Sequence, residues 1–172
     1  MTDALFDAAP ATARSAILSP CGTYRYELTR RWSDRPLAGW VMPNPSTADA
    51  EVDDPTIRRC VGFAKAWGFG GIVVRNLYAL RATDPAELRA HPEPIGPDNA
   101  EHLVRAAKDA LTICAWGAHG ARDDRSRHVA ALLEAAGADL RCLALTADGQ
   151  PRHPLYLRAD LTPVAFDLGS AA

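Results

Sequence analysis

Apolar and polar positions change their period near residue 39. Upstream, between residues 23 and 32, Tyr24, Tyr26 and Leu28 alternate with Arg25, Glu27 and Thr29. A period of two marks a half-buried strand, predicted here as an antiparallel edge. Ser33-Asp34-Arg35-Pro36 then reads as a turn. Downstream, short apolar runs at 39–42, 71–75, 111–115 and 140–145 predict four buried strands separated by helical stretches. Asp54 is a helix N-cap with Pro55 at the first helical position, and the helix runs to Trp67 with Gly68 as its stop. Ile57, Cys60, Val61, Ala64 and Trp67 share one face of it. Asp84-Pro85 opens a short helix through Ala90, residues 97–109 read as another, and residues 125–136 form a last one closed by Gly137. Residues 1–20 have little periodicity and are expected to be a loosely ordered lead-in.

Strand–helix–strand alternation implies parallel strands joined by right-handed crossovers. The predicted fold is therefore a single α/β domain over residues 1–172, three-layered (α/β/α), with a four-stranded, mainly parallel sheet. In such sheets ligands bind beyond the carboxyl ends of the strands. The four strands end in Asn44-Pro45-Ser46, Asn76-Leu77-Tyr78, Trp116-Gly117-Ala118-His119 and Arg152-His153-Pro154. All four endings are expected on one edge, with Asn44, Asn76 and His153 converging. Pro43 and Pro45 restrict the backbone on both sides of Asn44, which suits a loop that aims a side chain.

Composition narrows the picture. With 172 residues, 48% hydrophobic and 23% charged, the chain has the make-up of a globular domain. No apolar run approaches the ~20 residues of a membrane span. The start, M-T-D-A-L-F-D, lacks the basic and apolar blocks of a signal peptide, so a cytoplasmic location is expected. Cys21, Cys60, Cys114 and Cys142 stand singly and are expected to be small buried hydrophobes. A net charge of −2 gives no overall basic footprint, so contact with nucleic acid would rest on local arginines.

The strand endings resemble motifs of the uracil-DNA glycosylase superfamily. V-M-P-N-P-S is similar to the first motif of its mismatch-specific branch, and I-V-V-R-N-L-Y-A-L-R to the strand ending in a base-reading Asn. C-A-W-G-A-H-G resembles the Trp-Gly of a later strand, and R-H-P-L-Y-L the terminal His-Pro-Ser loop. The chain as a whole, with N-P-S-T-A-D and D-D-P-T-I-R-R-C, resembles more closely a bacterial domain family of unknown function. The first resemblance implies a uracil-DNA glycosylase-like fold and hydrolysis of an N-glycosidic bond to a damaged or modified base, in DNA or a nucleotide, without a cofactor. It implies that Asn44 positions water, that Asn76 reads the base edge and that His153 donates to the base as charge develops. Pro45, Ser46, Tyr78, Trp116, Arg152 and Leu155 would contact substrate, and residues 155–157 would sit where the family wedges a side chain into the duplex. Asp53, Asp54, Arg58 and Arg81 are possible accessory residues.

The pattern also departs from that family. No aromatic follows Pro45 to stack a base, and Leu155 replaces the Ser of the last motif. Asp53-Asp54 and Arg58-Arg59 have no counterpart in it. Other readings stay open at this stage. One is a non-catalytic nucleobase or nucleic-acid binding domain with the same pocket. Another is a hydrolase using Asp53 or Asp54 with a metal, although no metal-ligand cluster is visible in the sequence. Asp54 also serves as a plain N-cap, residues 122–127 read as a solvated helix start, and Trp67 and Trp116 suit a core. The oligomeric state is not written in the sequence.

Overall fold

The structure, a computed structural model, describes residues 12–118 and 123–169. Its sheet has seven strands: β1 (Ala13–Leu18), β2 (Arg25–Arg31), β3 (Leu37–Met42), β4 (Gly71–Asn76), β5 (Leu111–Cys114), β6 (Leu140–Cys142) and β7 (Val164–Ala165), in the order β1-β2-β4-β3-β5-β6-β7. The inner strands β4, β3, β5 and β6 are mutually parallel, at the four predicted positions. The flanks correct the four-stranded expectation: β1, β2 and β7 add antiparallel pairings, and the sheet is mixed.

β2 is not an edge strand. It pairs with β4 on one side and β1 on the other, within the stretch expected to be a loose lead-in. Its polar residues are consequently interior: Arg25, Glu27 and Arg30 are all buried. β1 itself is largely exposed, so its sequence carries no burial signal.

The helices are α1 (Pro55–Ala66), α2 (Pro85–Ala90), α3 (Asn99–Val104) and α4 (Arg125–Ala135). The 97–109 expectation divides into α3 and a 3₁₀ turn over Arg105–Lys108. Local sequence explains α1: the Asp54 carboxylate accepts from Ile57 N at 2.8 Å, and Pro55 sits where no intrahelical N–H is needed. Strand parity sends Trp40, Met42, Ile72 and Val74 to one face, where they pack with Ile57, Cys60 and Phe63 of α1. Val41 and Cys114 point to the other face, against Leu103 of α3 and Val129 and Leu133 of α4. Helices thus cover both faces of the sheet.

Candidate functional site

Beyond the carboxyl ends of β3 and β4, on the α1 face, lies a cavity of about 180 Å³. Asn44 and Ser46 reach it from the loop after β3, and Asn76 from the last residue of β4. Asp54 enters at the start of α1 and His153 from the loop after β6, while Arg25 enters from the beginning of β2. Met42, Ile57 and Val74 supply apolar wall. An open groove holding Thr23, Thr47, Arg81 and Glu87 adjoins it and shares Ser46, Ala82 and Thr83.

The polar side chains differ in how much of their hydrogen-bonding capacity is already committed. The Asn44 amide nitrogen donates to Pro45 O at 2.9 Å and to Ala82 O at 2.8 Å. Both its N–H groups are spent, so it has only the acceptor Oδ1 to offer a ligand. Asn76 is the converse. It is 1% exposed, and neither Oδ1 nor Nδ2 has a partner. An unmet buried amide costs roughly 1–3 kcal/mol, so a ligand that meets it gains that back. His153 Nδ1 accepts from Leu155 N at 3.3 Å, which places the ring proton of the neutral form on Nε2. Burial lowers the His153 pKa below its usual 6.5, against an opposing pull from Asp54.

A β-bulge delivers Arg25. Glu27 lies opposite Ile17 but Arg25 lies opposite Leu18, so Tyr26 is an extra residue in β2. Simple alternation would put Arg25 on the face of Glu27; the extra residue moves it to the cavity side. Its Nη1 donates to Ala48 O and its Nε has no partner. Period-two reading assigned Arg25 to the polar side of an edge strand, and nothing in the sequence marks the bulge.

The remaining predicted residues fall elsewhere. Trp116 shares the parity of Cys114 and packs on the opposite face against Phe166, with Nε1 donating to Gln150 Oε1 at 2.9 Å. Tyr78 is buried in that same core. Pro45 is buried beside the cavity, its carbonyl accepting from Asn44 and from Ala82 N. Arg152 is exposed and does not line the cavity. Leu155 is half-buried, Leu157 enters the core and Tyr156 stands 88% exposed between them. Asp53 pairs with Arg30 at 2.8 Å and Arg14 at 3.0 Å, tying its loop to β1 and β2. Asp54 both caps α1 and lines the cavity. Arg58 is exposed and donates to Asp53 O, and Arg81 donates to Gly22 O in the adjoining groove. Arg125 is buried rather than solvated, with Nε donating to Leu77 O at 2.9 Å. His119 and Arg122 lie outside the described residues. Among the described residues no three His, Cys, Asp or Glu side chains are grouped as for a metal ion.

Fold and site together define an α/β protein with a small polar cavity at the carboxyl edge of its parallel strands. The chain belongs to the family described as protein of unknown function (DUF1643), whose model matches residues 25–155. That span opens on Arg25 and runs past His153, so it contains every residue lining the cavity. No curated protein and no solved structure matches the chain.

Proposed function

We propose that the cavity recognises a nucleobase and that the chain hydrolyses an N-glycosidic bond, in the manner of the uracil-DNA glycosylase superfamily. The observation that carries this reading is Asn76. Its buried amide has a free NH2 donor group beside a free carbonyl acceptor, the complement of the amide edge of a base. His153 would donate from Nε2 to a base oxygen as negative charge develops, and its lowered pKa keeps the ring neutral with that proton in place. Asn44 Oδ1 would hold the attacking water. Asp54, at the same cavity, would favour the positive charge that builds on the sugar.

The test is base release from oligonucleotides and nucleosides containing uracil or hypoxanthine. Asn44→Ala and His153→Ala are expected to lower release roughly 10²-fold, and Asn76→Ala to weaken binding of the free base roughly tenfold. No release by the unaltered protein, together with saturable base binding lost in Asn76→Ala, would identify a non-catalytic base-binding domain. A net charge of −2 favours a nucleotide or a short single strand over tight binding to duplex DNA under either reading.

A further inference from the structure

Arg25 carries a buried charge that no direct ion pair neutralises among the described residues, although Asp54 and Asp49 favour it through space. It is 3% exposed, as are Arg30 and Arg75. Those two are each neutralised: Arg30 by Asp53 at 2.8 Å, and Arg75 by Asp109 at 2.6 Å and Glu27 at 3.3 Å. Among the described residues no carboxylate forms an ion pair with Arg25. Burial lowers its pKa to about 10, so it remains charged at neutral pH. An uncompensated buried cation is costly, and proteins normally pair it.

The β-bulge at Tyr26 places this charge in the cavity rather than beside Glu27. There Arg25, whose Nε–H is unmet, and Asn76, whose Nδ2 is unmet, line the same small space. Two buried donors, one of them cationic, call for an acceptor with several lone pairs and negative charge. Among the described residues Asp54 is the only carboxylate lining the cavity, and it favours the charged form of Arg25. It is less deeply buried than Arg25, and its Oδ1 is engaged by Ile57 N–H at the N-terminal turn of α1, where the helix dipole offsets its charge.

We infer that Arg25 makes this cavity selective for a planar ring carrying negative charge, specifically a nucleobase in its ionised imide form. The identity of the ring rests on the base-binding reading above; the selection for charge rests on Arg25 itself.

The experiment is titration calorimetry of the full chain with three probes at neutral pH. Uracil is a neutral base, 5-nitrouracil is an ionised base of similar shape, and benzoate is a planar anion without the imide. The unaltered protein is expected to bind 5-nitrouracil roughly tenfold or more tightly than uracil. Arg25→Gln should reduce that ratio to within about threefold, and Arg25→Lys should keep part of it. Melting curves check that both variants fold, and the comparison of probes on the unaltered protein stands without them. Equal binding of uracil and 5-nitrouracil, or a preference that survives Arg25→Gln, overturns the inference and leaves base binding intact. Arg25-dependent binding of benzoate with neither base bound supports charge selection and removes the nucleobase reading. Failure of all three probes to bind removes both.

Discussion

At the scale of single residues, the site is defined by what each side chain has left over. Asn44 has spent its donors, Asn76 has spent nothing, and His153 has spent its Nδ1. The His153 pKa lies below its unfolded value because burial disfavours the imidazolium. The unfolded chain therefore takes up a proton more readily than the folded one. This residue's contribution to stability is present above pH 6.5 and is lost as pH falls through and below that value. Urea unfolding at about pH 7 and about pH 5 should show a smaller acid loss for His153→Gln than for the unaltered protein. The cysteines give a second residue-scale outcome. Cys21 is exposed, contrary to the expectation from sequence, and hydrogen bonding with Ser19 and Thr23 lowers its pKa to about 7. Cys60, Cys114 and Cys142 are buried, with pKa values raised by desolvation. Brief treatment of the native protein with iodoacetamide at neutral pH should label Cys21 alone, as read by peptide mass spectrometry.

Among elements, the legible ones were those whose own sequence enforces them. Asp54-Pro55 and Asp84-Pro85 mark two helix starts through capping bonds that depend on neighbouring residues only. The apolar runs of β3, β4 and β5 report burial on both faces. β1 was not legible, because its stability comes from pairing with β2 and not from burying side chains. Without β1 beside it, β2 reads as an edge strand, in which Arg25, Glu27 and Arg30 would face solvent and not the interior. The convergence of Asn44, Asn76 and His153 was legible because it needs only parallel strands and their polar ends. Tyr78 and Trp116 follow strands that end at this edge but sit in the opposite core, a choice of face that a strand's ending alone does not specify. One inter-element contact supports the site directly. Arg59 of α1 lies over the Phe63 ring and donates to the carbonyls of Pro154 and Leu157, on either side of the turn that follows His153. Arg59→Ala should loosen that turn and weaken ligand binding, while Arg58→Ala, from an exposed neighbour, should leave binding unchanged. Parallel calorimetry on the two variants would reveal the difference.

Across the whole molecule, the sheet separates a ligand face from a buttressing face, and the end of β4 belongs to both. Asn76 faces the cavity, while Arg75 faces a buried charge cluster on the other side. In that cluster Glu27 receives Arg75, His102 at 2.7 Å and Arg105 at 3.0 Å, and the His102 ring stacks on Tyr26 at 4.8 Å. From α3, Asn99 Nδ2 donates to Asn76 O and Leu77 O, each at 3.1 Å, which fixes the backbone that carries Asn76. Gly39 of β3 makes room for the cluster: a Cβ there would collide with the Asp109 carboxylate. Gly39→Ala therefore has two outcomes available, both costly. Either the methyl strains the strand, or Asp109 is displaced and Arg75 loses its closest partner. A loss of roughly 3 kcal/mol in urea unfolding is expected. Asp109→Ala should destabilise by a similar amount, because it exposes the same loss from the other side. The double variant should then cost clearly less than the two single losses added, since the methyl now fills the space the carboxylate has left. Additive losses in that double-mutant cycle would mean that Gly39 is required by something other than Asp109, and would remove the steric link between β3 and the charge cluster beneath Asn76.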